Sequence, residues 1–332
     1  MGNPSGKTLM LLPGTACDYQ TNFATVLDRL GEKYLLICVN YDGFDGSDLI
    51  FPDMITVTEK IEKYIKDNFD GRIDGAIGSS LGSSFVGQLI QRENIHIDHG
   101  IFGSPDLDQS GKFSAWLQSK LVVPLLTGFT KNEKRRAKTR GMLIRFFEMN
   151  NETADRFMEC FAKFNLESIK NEYYSDLLTW LKDDIHVENT KVHFIYANKM
   201  GEKYLQRYKK YFRDPDIREF DMQHEQWLFG GEQYTVPVLQ AIDDMMNNTS
   251  IPPMSGGGTA SNLNEILLSN VSKPEALAFI FAITFNMPCV VALAATYQEI
   301  HSAKWTAKIA AYYTLTALLL AAVAYRIGLV IF

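Results

Sequence analysis

The stretch Gly78-Ser79-Ser80-Leu81-Gly82 sets a serine between glycines two residues before and two after it. Small residues at both flanks permit a sharp turn, and a serine at the apex presents its hydroxyl outward, where it can attack a carbonyl carbon. Such a hydroxyl is a weak nucleophile until a base takes its proton. Of the six histidines, only His224, in Met222-Gln223-His224-Glu225, directly follows the last strand signal. His96, His99 and His193 lie on or beside strands, His186 in a polar loop and His301 far along the chain, so His224 is the expected general base. An acid to orient the imidazole is expected after the preceding strand, in "VHFIYANKMGEKY", where Glu202 is the nearest carboxylate. Asp106, beside Asp108 in "GSPDLDQ", is the alternative. Acyl transfer further needs amide donors for the developing oxyanion. Leu81 supplies one N–H, and the turn "LPGTACD" supplies the second from Thr15 or Ala16. Cys17, on the same turn, has no base at readable spacing and is expected to be a small buried residue.

The elements that must position these groups alternate in the first 250 residues. "KTLMLLPG" and "YLLICVNYDG" are short apolar runs closed by turn residues, with "NFATVLDRLGEK" between them at helical spacing. "ITVTEKIEKYIKDNF" interleaves Ile55, Ile61, Ile65 and Phe69 with charge, predicting an amphipathic helix. Strand "IDGAIGS", helix "SSFVGQLIQREN" and strand "IDHGIFGS" follow. The order resumes at "KVHFIYAN", helix "EKYLQRYKKYF", strand "DIREFDM" and helix "YTVPVLQAIDDMM". Continuous apolar strands separated by amphipathic helices predict an α/β fold with a mostly parallel sheet covered on both faces. Residues 108–190 carry helix signals without strands, which predicts a helical cap inserted over the sheet. The basic run Lys131 to Arg140 within it is expected to be a solvated helix face.

Composition narrows the classes. Before Met254 there are 29 basic and 36 acidic residues, against four and three from Met254 onward, so no broad basic field suits nucleic acid. Cys17, Cys38, Cys160 and Cys289 show no C-x-x-C spacing, so no zinc site or disulfide framework is expected. "GNPSGKT" is one residue short of a phosphate loop, and a strand signal follows it where that loop needs a helix. A solvated amino-terminal tail is the expectation there, with no nucleotide bound and no signal peptide.

Through "LLPGT", "GSSLG" and "MQHE", residues 7 to 247 resemble the α/β-hydrolase superfamily, which shows the order nucleophile, acid, histidine. The resemblance implies esterase, lipase, thioesterase or related chemistry on a small acyl substrate, without a cofactor, in a pocket shaped by the cap. Where many members have Asp after Y-G-x-x, this chain runs Tyr196-Ala197-Asn198-Lys199-Met200, so the acid is displaced or absent.

After a Pro/Gly/Ser linker, residues 251–262, the character changes. Ala276 to Gln298 carries no charged side chain, and Ile309 to Tyr325 repeats the pattern beyond the turn "EIHSAKW". Each run approaches or exceeds the roughly 20 residues that a helix needs to cross a bilayer. Two transmembrane helices are predicted, over about 274–298 and 307–331, with Trp305 at an interface. "FNMPCVVALAAT" and its continuation look like the carboxyl-terminal membrane segment of bacterial ferrous iron transport protein B, through Pro288-Cys289 and Glu299. That resemblance implies Cys289 on an iron path, with Fe2+ as transported ion rather than cofactor and other transporter subunits as partners. A transport subunit with a non-catalytic front domain is thus the alternative to a hydrolase held at the inner membrane and facing the cytoplasm.

Overall fold

The structure, a computed structural model, describes residues 1–127, 133–247 and scattered positions between 302 and 326. The chain divides into two units, Met1–Met254 and Ser255–Phe332.

The first unit is built on six strands, β1 (Thr8–Leu12), β2 (Leu35–Cys38), β3 (Arg72–Ser79), β4 (His96–Gly103), β5 (Lys191–Ala197) and β6 (Asp216–Phe220). They form one sheet in the order β2-β1-β3-β4-β5-β6, and every neighbouring pair is parallel. The helices in the same chain order are α1 (Tyr19–Asn22), α2 (Leu27–Lys33), α3 (Met54–Phe69), α4 (Leu81–Arg92), α5 (Lys112–Thr127), α6 (Glu133–Phe147), α7 (Asn151–Lys163), α8 (Leu166–Leu178), α9 (Glu202–Tyr211), α10 (Gln226–Phe229) and α11 (Glu232–Asn247). Because successive strand residues point to opposite faces, β1 sends Met10 and Leu12 into one core and Leu9 and Leu11 into the other. The first core takes side chains of α3, α4, α8 and α9, the second those of α2, α7, α10 and α11. Helices on both faces explain why the strands read as unbroken apolar runs.

Several expectations change in detail. The segment read as one helix between the first two strands is two short helices, α1 and α2, with Phe23 and Val26 buried at the break. On α3 the buried apolar positions are Met54, Val57, Ile61 and Ile65, while Ile55 is turned outward. The amino-terminal residues are mostly exposed, as expected of a solvated segment, but they are tied to the fold. Gly2 bridges antiparallel to Leu35, and the Met1 ammonium donates to Leu36 O at 2.9 Å. Lys7 Nζ donates to Met246 O at 2.6 Å, so this lysine ties β1 to α11.

Among the described residues between β4 and β5 there are four helices, α5 to α8. The last of them is fastened to the body by side chains that occupy loop backbone groups. Ser168 Oγ accepts from Phe51 N–H at 3.1 Å, Ser175 Oγ accepts from Met54 N–H at 2.7 Å, and Asn171 Nδ2 donates to Phe51 O at 3.0 Å. Each satisfies a group that would otherwise be buried without a partner, which costs about 1–3 kcal/mol.

In the second unit the described positions from Trp305 to Arg326 are helical, and Trp305, Tyr312, Leu315, Leu319 and Val323 are exposed. Among the described residues no helix is long and apolar enough to cross a membrane. The first predicted span, with Pro288, Cys289 and Glu299, lies outside the described residues, as does the 251–262 linker.

Candidate active site

Ser80 sits between β3 and α4 with φ 47° and ψ −114°, a conformation that L-residues avoid. Its surroundings require it. A Cβ on Gly78 would lie 2.3 Å from the Gly82 and Ser83 backbone, and one on Gly82 would lie 2.1 Å from Leu12 O. Both glycines are therefore fixed by close backbone approach, as the sequence spacing implies. Ser83 Oγ donates to Gly78 O at 2.7 Å and closes the turn from within.

The loop after β6 brings His224 to this elbow, with His224 Nε2 3.0 Å from Ser80 Oγ. For Nε2 to accept the serine proton, the ring hydrogen must sit on Nδ1. Nδ1 is buried, and no well-formed hydrogen bond to it is found among the described residues, although the Ser104 backbone lies close enough to favour the protonated ring. Burial holds the His224 pKa below the usual histidine value, opposed by the Asp106 charge and the Ser104 backbone.

The two acid candidates separate. Asp106 follows β4, flanked by Ser104 and Leu107 at φ 47° and 48°. Ser104 Oγ donates to Ile195 O at 2.9 Å, Tyr208 Oη donates to Pro105 O at 2.5 Å, and the Arg207 guanidinium donates to Asp106 O and pairs with Asp108 at 2.6 Å. The loop is thereby held by β5 and α9. Asp106 has its pKa raised by burial and then by Asp108, and lowered by His224. Glu202, by contrast, is exposed at the first position of α9. A carboxylate there is favourable beside the helix amino terminus, which accounts for it without a role at His224. The histidine thus shares its electrostatic environment with Asp106, not with the carboxylate nearest in the expected loop. That loop continues into α9, which turns Glu202 to solvent.

The oxyanion candidates also divide. On the β1–α1 turn, Gly14 N–H donates to Asn22 Oδ1 at 2.8 Å and Ala16 N–H to Glu172 Oε2 at 2.9 Å. No hydrogen bond from Thr15 N–H is found among the described residues. A Cβ on Gly14 would stand 3.4 Å from Ser80 Cβ, so this turn lies directly against the elbow. Leu81 opens α4, where its N–H has no partner within the helix. Of the three expected donors, Ala16 N–H is thus engaged by Glu172, whereas no bond from Thr15 N–H is found among the described residues and Leu81 N–H has none within its helix. Cys17 is buried beside Cys160 of α7, in keeping with a packed role, and its contact with Cys160 and then burial raise its pKa.

Three carboxyl groups that hydropathy does not reveal surround this centre. Glu172 of α8 is fully buried, with Oε1 unpartnered, and burial raises its pKa well above the usual range. Asp176, one turn on, is pushed up to about 8 by burial and then by Asp106, while a Ser84 hydrogen bond opposes this. Glu225, next to the histidine, is 3% exposed. Its Oε2 accepts from Ser79 Oγ at 2.6 Å and its Oε1 from Ser80 N–H at 3.1 Å. The only signal for it in the sequence was adjacency to His224.

No protein-family model matches the chain, and no curated protein matches it in sequence. The resemblance of the tail to ferrous iron transport protein B gains no support from these comparisons. Solved structures do match the first unit. An α/β-hydrolase family protein from Desulfitobacterium hafniense superposes with a TM-score of 0.55 at 17% identity, covering 73% of this chain and 98% of its own. A lipase-esterase related protein from Clostridium acetobutylicum gives 0.54 at 15% identity, over 74% and 97%. An esterase from a marine microorganism gives 0.53 at 14% identity, over 73% and 96%. With its all-parallel sheet, strand–helix elbow and helical insertion, the chain has the α/β-hydrolase fold.

Proposed function

We propose that the chain is a serine hydrolase that transfers an acyl group from an ester or thioester to water. The observation that carries this reading is the 3.0 Å approach of His224 Nε2 to Ser80 Oγ at a strained elbow. In the proposed reaction Ser80 Oγ attacks the substrate carbonyl carbon while His224 Nε2 takes the hydroxyl proton. The carbonyl oxygen becomes an oxyanion held by the N–H groups of Leu81 and Thr15. His224 returns the proton to the departing alcohol or thiol, leaving an acyl-serine. Water then repeats the sequence in reverse and frees the acid and Ser80. Asp106 is the proposed acid that favours the imidazolium in both steps, in preference to Glu202. A His224 pKa held below the usual histidine value suits a base that must accept a proton near neutral pH.

The tail supports a second proposal, on location. The uncharged run from Ala276 to Gln298 and Trp305 beyond it suit an inner-membrane anchor, with the hydrolase on the cytoplasmic side. No observation among the described residues favours the transport-subunit alternative, whose distinctive positions Cys289 and Glu299 lie outside them.

A fluorophosphonate probe tests the enzyme reading. Folded wild-type protein should form one adduct that is lost in Ser80→Ala, and should hydrolyse p-nitrophenyl esters. An unlabelled Ser80 in folded protein would sink the hydrolase proposal.

A further inference from the structure

Glu225 occupies an unusual place for a carboxyl group. It lies inside the protein, 3% exposed, on the turn that carries His224, and reaches across to the turn that carries Ser80. Its two oxygens divide between two donors on the second turn, Ser79 Oγ at 2.6 Å and Ser80 N–H at 3.1 Å. The Ser80 amide also faces Gly103 O at 3.2 Å, so Glu225 completes a shared hydrogen bond at the nucleophile's own backbone. The cost of this arrangement is visible in the chain. Glu225 has φ 56° without being glycine, and a Cβ on Gly103 would come within 3.3 Å of its Oε1. A strained, buried, ionisable residue persists only where the surrounding structure over-determines it.

We propose that Glu225 is a positioning residue that fixes the separation of base and nucleophile, by clamping the histidine turn to the serine turn through one carboxyl group. The inference rests on the hydrolase reading of Ser80 and His224. It follows from chain geometry: His224 and Glu225 are adjacent, so whatever holds the Glu225 carboxyl against Ser79 and Ser80 also limits how far His224 can move from Ser80. A misplacement of about 1 Å between reacting groups can cost about a hundredfold in rate.

The clamp has a second property. Burial pushes the Glu225 pKa up to about 8, against the hydrogen bonds from Ser79 and Ser80 that lower it. The other ionisable groups on this side are His224 on the same loop, Asp106 after β4, and Tyr208 and Arg207 on α9. His224 takes its shift from burial, Asp106 and the Ser104 backbone, whereas Glu225 acts at the elbow amide. With its pKa pushed up to about 8, the carboxyl carries its proton near neutral pH, and in that form Oε2–H donates to Ser79 Oγ, whereas the charged form accepts from it. As pH rises through about 8, it gains a charge beside the turn where the oxyanion must form, and the rate should fall.

The test compares the full-length wild-type chain with Glu225→Gln, Glu225→Asp and Glu225→Ala, with folding checked by circular dichroism. Fluorophosphonate labelling of Ser80, and kcat and KM on a p-nitrophenyl ester, are measured from pH 6 to 9.5. Glutamine reproduces the protonated carboxyl, with its oxygen accepting from Ser80 N–H and its amide donating to Ser79 Oγ. It should keep kcat within about fivefold at pH 7 and lose the alkaline decline. Aspartate is one methylene too short to reach both donors, so Glu225→Asp should lose about tenfold to a hundredfold in kcat with KM little changed. Glu225→Ala should lose at least as much where it folds. Wild-type rates in a folded Glu225→Asp, or an alkaline decline that survives in Glu225→Gln, would overturn the inference while leaving the hydrolase reading intact. Absence of Ser80-dependent labelling in the wild-type chain would overturn both.

Discussion

His224 is subject to opposing influences, burial that favours the neutral ring, and the Asp106 charge and then the Ser104 backbone that favour the protonated one. Because burial dominates, the histidine pKa lies below 6.5, and its base form is present at neutral pH and above. The ester kcat/KM should therefore rise with pH along a limb whose midpoint is below 6.5, as measured on the free enzyme. Replacing Asp106 by Asn removes the larger of the influences that raise the histidine pKa. That limb should then move to still lower pH, while kcat falls by roughly two to four orders of magnitude as imidazolium stabilisation is lost. Glu202→Gln, at an exposed helix terminus, should leave both unchanged. The reverse pattern, a large loss in Glu202→Gln and none in Asp106→Asn, would return the acid to the loop after β5.

At the scale of elements, the legible parts were those written in short-range pattern. Ser80 could be found because its elbow needs Gly78 and Gly82 within two residues, and His224 because it follows directly on a strand signal. The alternation of strands and helices was readable because each has its own period. The carboxyl groups were not, since Glu172 reaches Ala16 across 156 residues and Glu225 reaches Ser80 across 145, and no local pattern encodes such contacts. The break between α1 and α2 was hidden because Phe23 and Val26 keep helical spacing through it. A further polar chain, its two histidines buried and its aspartate exposed, lies at the opposite end of the sheet from the elbow, on β4, β5 and β6. His99 Nδ1 is 3.1 Å from His193 Nε2, and His193 Nδ1 is 2.8 Å from Asp216 Oδ2. The facing ring nitrogens share one hydrogen, so a second proton would set donor against donor. Burial and then His193 lower the His99 pKa to about 4. An unfolded histidine titrates near 6.5, so the unfolded chain binds this proton more readily. The contribution of His99 to stability is complete above about pH 6.5 and is lost progressively as pH falls toward 4. Thermal melting from pH 7.5 to 4 should show a steeper decline in wild type than in His99→Gln, whose side chain does not titrate. Parallel curves would mean that the pair does not distinguish its protonation states on folding.

At the scale of the whole molecule, the chain joins two units of different composition. Residues up to Met254 hold both cores, all six strands, and Ser80, His224, Asp106 and Glu225. The remainder carries only four basic and three acidic residues, around long uncharged runs. If the tail serves location and the first unit chemistry, the two are separable. A chain ending at Met254 should fold, since both faces of its sheet are covered by helices of the same unit. Its Ser80 should be labelled by the fluorophosphonate at the full-length rate, within about twofold, because every residue assigned to the site belongs to the first unit. The full-length chain should sediment with membranes and resist extraction by high salt, because a spanning helix is held by burial rather than by charge. The truncated chain should stay in the supernatant. Full-length protein released by salt alone would argue against a spanning anchor, and a truncated chain that fails to fold would show that the tail contributes to the hydrolase itself.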